Sequence, residues 1–304
     1  MKIRSVDHSL LDKAKLNKKD EFYTLLPDIE NELIHYQNHF YQKTIYCNCD
    51  NPKFSNFWKY FYLNFKALGL KHLYASFYGE NSQVYHYDGV NLEINNLKDN
   101  GDFRSEECLQ ILKVSDIVVT NPPFSLFREY ISLLVDYQKD FLIIANINAL
   151  TYKEVFPLIK ANKVWLGINF GRKISGFIVP DTYELYGTET QIDVNNNRII
   201  SPNNCMWLTT LDNEKHHKQL ELKKKYQGNE FQYPYYDNFK AINVNKTNDI
   251  PSDFLGAMGV PITFLNKYNP DQFEIIKFRK GDDEKDLRIN GKTPYFRIII
   301  KRKM

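Results

Sequence analysis

Between Lys43 and Ile168 the chain repeats one pattern: a short run of β-branched and aromatic residues, then a longer segment with apolar residues at helical spacing. "KTIYCNCD" reads as a buried strand, "SNFWKYFYLNFKALG" as a helix closed by Gly69, and "LKHLYASFY" as the next strand. "SEECLQILKVS", "SLFREYISLLVDYQK" and "TYKEVFPLIKAN" read as helices, and "DIVVT", "DFLIIANI" and "KVWLGI" as the strands between them. Strands joined by helices line up in parallel, and the helices must cover both faces. The expected fold is therefore α/β, with a mostly parallel sheet. Beyond Gly167 the rhythm changes: Tyr183 to Asn204 has the Asn, Thr and Gly content of a loop or hairpin, followed by a further strand, "CMWLTTL". The rest, rich in Tyr, Asn and Lys, ends in the short strands "FEIIKF" and "PYFRIIIKR". The organisation read from this is a core over residues 1–211 and a C-terminal region over 212–304.

Composition excludes several classes. The longest apolar runs are far shorter than the roughly 20 residues that cross a bilayer, so no membrane role is expected. The four cysteines, Cys47, Cys49, Cys108 and Cys205, form no dense framework, and the N-terminus is polar with no apolar signal segment. A reducing cytoplasm is the expected setting. Cys47 and Cys49 share one face if both lie in a strand, but C-x-C without a second ligand pair is not a zinc pattern, and no metal is expected. His216 and His217 sit in a polar, Lys-rich helix and are read as facing solvent. A net charge of +3 says little alone, yet between Lys277 and Lys303 ten Lys and Arg face four Asp and Glu. That local excess suits phosphate, and equally a solvated surface.

The stretch "SDIVVTNPPFSLFREY" carries the chemistry. Ligands of an open α/β sheet bind beyond the carboxyl ends of its strands, and Asn121 to Phe124 sit at such an end. Pro122 and Pro123 fix φ and hold the preceding backbone extended. The loop then presents the Asn121 side-chain oxygen, the Pro122 carbonyl and the flat face of Phe124. Two acceptors beside an aromatic plane suit a planar ring bearing an exocyclic NH₂, and the adenine amine is such a group. Its lone pair is delocalised into the ring, so it is a poor nucleophile. Accepting both N6 hydrogens turns the lone pair outward and stabilises the positive charge that develops on nitrogen. The electrophile would be the sulfonium methyl of S-adenosylmethionine, and a base in a duplex must first be flipped out. Taken alone, Asn-Pro-Pro is equally well explained as a stiff turn.

Context supplies more. "NPPF" resembles motif IV of the amino-methyltransferases, the [DNS]-P-P-[YFW] signature. "GDF", Gly101 to Phe103, resembles motif III, and "DEFYT", Asp20 to Thr24, resembles motif X. The order of these segments, with a C-terminal recognition region, resembles the γ arrangement of DNA adenine methyltransferases. Nearly the whole chain is similar to the EcoRI-type family, through "YCNCDNP", "GDFRS", "LTYKEV", "SGFIVP", "ELYGTE", "NRIISPNNC", "AINVNKT", "GVPITFL" and "INGKTPYFRI". The resemblance implies a Rossmann-like class I methyltransferase sheet using S-adenosylmethionine on adenine N6 in double-stranded DNA. It further implies pairing with a restriction endonuclease and, if specificity carries over, the target GAATTC. A palindromic site does not require a dimer, since a monomer can methylate each strand in turn.

The resemblance also implies site residues. Asn121, Pro122, Pro123 and Phe124 would be catalytic. Phe22, Tyr23, Thr24, Asp102, Phe103 and Asn121 would hold the cofactor, with Asn48 and Asp50 as candidates at the end of the first strand. Glu80 is the candidate for the acid after the second strand. The chain departs from most methyltransferases in motif I: "CNCDNPKFSNF" contains no glycine where a G-x-G loop is usual. Arg172 and Lys173, after a strand in "NFGRKISG", and Lys292 and Arg297, assigned to the terminal strand, are candidates for DNA contact. Three other readings stay open: methylation of a protein glutamine amide, which uses the same NPPF chemistry, methylation of RNA adenine, and a DNA-binding module whose catalytic site has decayed.

Overall fold

The computed structural model describes residues 22–181, 183 and 190–303. Asp20 and Glu21 of motif X and the "ELYGTE" segment lie outside the described residues. The chain divides into two compact units. One holds the chain up to Phe156 together with Leu166–Asp212, and the other holds Pro157–Trp165 together with the chain from Asn213 on.

The first unit opens with a two-residue strand, β1 (Tyr23–Thr24), and a helix, α1 (Leu26–Leu33). Then come β2 (Thr44–Asn48), α2 (Asn56–Leu63), β3 (His72–Ser76), β4 (Gln83–Tyr87), β5 (Leu92–Asn96), α3 (Glu106–Val114), β6 (Ile117–Thr120), α4 (Phe127–Asp136), β7 (Asp140–Asn146) and β8 (Trp165–Phe170), whose first residue, Trp165, belongs to the second unit. After them run β9 (Phe177–Val179), β10 (Thr190–Ile192), β11 (Arg198–Ile200) and β12 (Cys205–Thr209). The large sheet has the order β5-β4-β3-β2-β6-β7-β12-β8. Its centre, β3-β2-β6-β7, is parallel, as the alternation requires. The flanks are antiparallel: β4 and β5 form a hairpin on β3, and β12 returns against β7. Every residue of β2, β6 and β12 is buried, which is why these runs are continuously apolar rather than alternating.

The helices follow local rules. Ser55 and Ser105 cap α2 and α3, each side chain accepting from the backbone three residues on. The expected single helix over Ser55 to Gly69 is broken at Asn64, whose side chain donates to the Tyr60 carbonyl (2.8 Å) and competes with the helical ladder. It resumes over Phe65–Leu68 and ends at Gly69, in the left-handed region at φ 62°. The expected helix over Thr151 to Asn162 shrinks to Phe156–Lys160, because Pro157 fits only the first turn of a helix.

A small sheet of order β1-β9-β11-β10 brings the N-terminal strand onto "SGFIVP": Tyr23 pairs with Ile178 and Thr24 with Phe177. The second unit contains β13 (Tyr235–Tyr236), β14 (Phe239–Asn243), β15 (Met258–Pro261), β16 (Phe273–Phe278) and β17 (Arg297–Arg302), in the order β13-β14-β15-β17-β16. His216, read as solvent-facing, is instead 5% exposed, with its ring centre 4.3 Å from that of Trp165. An imidazole has enough apolar body to pack on an indole, so its polar neighbours in sequence misled the reading.

Candidate active site

β2 and β6 run side by side, Ile45 beside Ile117 and Tyr46 beside Val118, so both strands deliver their following loops to the same carboxyl edge. The Thr120 hydroxyl donates to the Asn48 carbonyl and ties the two ends together. Beyond that point lie Cys49 and Asp50 on one side and Asn121 to Phe124 on the other.

Asn121 is 6% exposed. Its Nδ2 donates to the Phe22 carbonyl at 2.6 Å, across 99 residues of sequence. A carbonyl can only accept, so this bond decides which way the amide faces. The Asn121 Oδ1 is thereby left as an acceptor, buried and without a partner. The next residues stiffen the loop: the Pro123 carbonyl accepts from the Leu126 N–H (3.1 Å), opening the short turn that leads into α4. Phe124 is 5% exposed, edge-on to Phe22 (ring centres 5.9 Å apart) and to Phe177 (6.5 Å). The expected flat face for a base is, in this arrangement, packed into the aromatic cluster behind the loop.

Phe22 stands over this cluster because β1 is anchored twice, by its pairing with β9 and by the Asn56 amide, which donates to the Thr24 carbonyl (2.8 Å). Thr24 Oγ1 is the second buried polar atom here with no partner. The Tyr23 ring lies 6.2 Å from Phe54.

The glycine-less loop after β2 has a specific solution. Cys49 takes φ 78°, the left-handed conformation for which glycine is the usual residue. It therefore lies outside the strand, and the expectation that it shares a strand face with Cys47 does not hold. Asn48 is engaged: its Oδ1 accepts from the buried Tyr130 hydroxyl. The Tyr130 ring packs on Phe103 at 5.1 Å, so motif III and α4 share one wall. Asp50 is buried, and one of its oxygens accepts from Ser55 Oγ (3.2 Å). Burial and the neighbouring Asp50 push the Cys47 thiol up, keeping it protonated.

Asp102 is held by the residue two positions on. Arg104 donates to both of its oxygens (2.9 and 2.7 Å), and the guanidinium keeps the carboxyl below the usual range. Arg104 also reaches Glu129 on α4. Glu80 lies exposed in the turn after β3. Arg172 and Lys173 occupy an exposed turn directly after the edge strand β8. In the second unit Lys292 is not in the terminal strand but at an exposed hairpin, beside Asn290 and Gly291. Arg297 does begin β17, but its guanidinium turns inward to Asn243 Oδ1 (3.1 Å) and the Tyr295 carbonyl (2.6 Å). The described residues contain no group of three or more His, Cys, Asp or Glu placed to hold a metal.

The partner without a signal in the sequence is the Phe22 main chain: motif X places Phe22 at the cofactor, and its carbonyl orients Asn121. A backbone group carries no residue-type signal, so only the three-dimensional structure exposes it.

The profile of the family described as "Adenine-specific methyltransferase EcoRI" matches residues 10–89 and 81–303. The chain belongs to this family. It is 60% identical to the "Type II methyltransferase M.EcoRI" of Escherichia coli, covering 99% of this chain and 98% of that protein. It is 39% identical to the "Type II methyltransferase M.MgeORF184P" of Mycoplasma genitalium, over 95% of this chain and 98% of that protein. With the "Type II methyltransferase M.MpnI" of Mycoplasma pneumoniae the identity is 38%, over 96% and 97%. No solved structure matches the chain. The α/β sheet with its parallel centre is that of a class I methyltransferase, and this chain is an adenine-specific methyltransferase.

Proposed function

We propose that this adenine methyltransferase acts on double-stranded DNA, taking a flipped-out adenine and methylating its N6. The observation that carries the reading is Asn121, whose Nδ2 is held by the Phe22 carbonyl while Oδ1 is buried without a partner. An unpartnered buried acceptor costs about 1–3 kcal/mol. A substrate N–H that it receives returns that energy, and more of it as the amine becomes positive. The Pro122 carbonyl supplies the second acceptor, and Phe124 backs the loop from within the aromatic cluster.

S-adenosylmethionine fits the carboxyl edge of β2, where it would supply an electrophilic methyl group. Thr24 Oγ1 is the orphaned buried group that suits it. Asp50 lies at the strand end for an amino or hydroxyl group, and Phe103 provides an apolar wall. Asp102 and Asn48 already accept hydrogen bonds from Arg104 and Tyr130, so Asp102 acts on a ligand through the oxygen lone pairs that remain, and Asn48 through those or through its Nδ2 donor. The left-handed turn at Cys49 brings the backbone round as glycine would, which supports an intact site over a decayed one.

The first unit is read as the catalytic core and the second as the target-recognition region. The 60% identity to a type II methyltransferase supports a companion endonuclease as the biological partner; the reading extends to GAATTC as the site, the cytoplasm as the setting, and a monomer that methylates each strand in turn. The test is transfer of labelled methyl from S-adenosylmethionine to duplex DNA, to RNA and to protein in parallel. Label in duplex DNA is the expected result. Label confined to RNA or to protein overturns the reading.

A further inference from the structure

In an extended strand, consecutive side chains point to opposite faces. Tyr295 and Phe296 do not. A bend at Tyr295, just before β17, brings their rings face to face, 5.0 Å apart and 24° from parallel. Phe296 is fixed from its other sides: the Arg279 guanidinium lies 4.5 Å from the centre of its ring, and Phe278 meets it edge-on at 5.8 Å. Arg279 in turn is held by both oxygens of Asp286 (2.9 and 2.7 Å). The bend itself is fastened by Arg297, which donates to the Tyr295 carbonyl (2.6 Å). The result is a ladder of three planar groups, Arg279, Phe296 and Tyr295, with its end ring open: Tyr295 remains 69% exposed.

One face of the Tyr295 ring rests on Phe296 while most of the ring stays open to solvent, so a π surface is held in place and free. The surroundings favour a nucleic acid. Lys292, three residues before Tyr295, is exposed, as are Lys285, Lys301 and Lys303 elsewhere in the same stretch, where Lys and Arg outnumber Asp and Glu by ten to four. A small hollow lined by Arg279, Asp286, Thr293, Phe296 and Arg297 adjoins the ladder, with Asp286 paired to Arg279. Stacking on an aromatic face asks only for a π surface, which every base has, and exposed cations of the same unit can serve the phosphates.

We infer that Tyr295 is a stacking platform for an unstacked base of the substrate DNA, with the Phe296–Arg279 pair as its fixed support. This rests on the DNA reading above. A base displaced when the target adenine leaves the helix, or one at a distorted step beside it, is the chemical class of ligand.

The test uses the full-length protein, S-adenosylmethionine and a duplex containing GAATTC, with binding measured by titration and methyl transfer measured alongside. Tyr295→Ala is expected to weaken DNA binding about 5- to 150-fold, the range of one base–aromatic stack. Tyr295→Phe, which keeps the ring, is expected to bind within about twofold of wild type. The salt dependence of binding should keep its slope in both variants, because no phosphate contact is removed. With wild type methylating the duplex, equal affinity of Tyr295→Ala and wild type overturns the platform. So does a loss in Tyr295→Ala that appears only as a shallower salt slope, which would mark phosphate contact instead. If wild type neither binds nor methylates duplex DNA, the DNA reading falls and the platform with it.

Discussion

Replacing Asn121 by Asp alters one atom of the proposed catalytic group and leaves its shape. In the native site Nδ2 donates to the Phe22 carbonyl at 2.6 Å, and Oδ1 is the unpartnered acceptor. An ionised Asp would set a carboxylate oxygen against that carbonyl oxygen, acceptor facing acceptor, in a place 6% exposed. Burial and the missing donor both disfavour the charge, so the carboxyl pKa is raised. Its protonated form restores the native pattern, the O–H donating to Phe22 while the other oxygen accepts. The active form of Asn121→Asp is therefore the protonated one, and its rate relative to wild type must rise as pH falls. Where the carboxyl is ionised the donor to Phe22 is lost, and a preorganised group turned out of place lowers kcat by up to about 10² to 10³. Single-turnover methylation at saturating DNA, from about pH 8 down to about pH 5, measures the ratio directly. A ratio that stays below wild type and flat with pH would refute the role given to the Asn121–Phe22 pair.

Other consequences are simpler. Phe124→Ala should cost about 3–5 kcal/mol in chemical denaturation, since the ring is core; a change below about 0.5 kcal/mol would mean the ring stands free. At Cys49, glycine should be tolerated or stabilising, by up to about 1 kcal/mol, because φ 78° strains an L-residue. Valine there should destabilise by at least about 1 kcal/mol, and equal urea midpoints for the two variants would contradict the strained turn. Asp102 has its pKa lowered by Arg104, so the ion pair stabilises above the unfolded carboxyl's pKa and is lost as pH falls through the depressed folded value. With both side chains partly exposed, about 1 kcal/mol is at stake. Asp102→Asn should flatten the stability profile below about pH 4 and leave its slope at higher pH unaltered.

Much of this was legible in the sequence because local rules coincide with tertiary need. The apolar runs around Tyr46, Val118 and Ile143 are central strands, and buried strands read as continuous apolar segments. Ser105 ahead of "EECLQILKV" is a helix start in sequence and in structure. The antiparallel hairpin β4–β5 interrupts the strand–helix alternation, although Asp88–Gly89 between "QVYHY" and "VNLEI" is a turn signal. There Asp88 accepts from the Val90 and Asn91 N–H groups and Gly89 takes φ 92°. NPPF could be found by pattern, but not which face of Asn121 is free, since Phe22 lies 99 residues away and acts through its backbone. Phe124 looked like a free aromatic for the same reason: its neighbours Phe22 and Phe177 come from distant segments.

The most direct measurement is base-resolved sequencing of duplex DNA after incubation with S-adenosylmethionine and either wild type or Asn121→Ala, at concentrations where both bind the DNA. Wild type is expected to place N6-methyladenine in one short motif and nowhere else. Asn121→Ala is expected to leave that motif unmodified on the same timescale. Methylation by the variant at near the wild-type rate, or wild-type modification on a base other than adenine, would contradict the site assembled around Asn121.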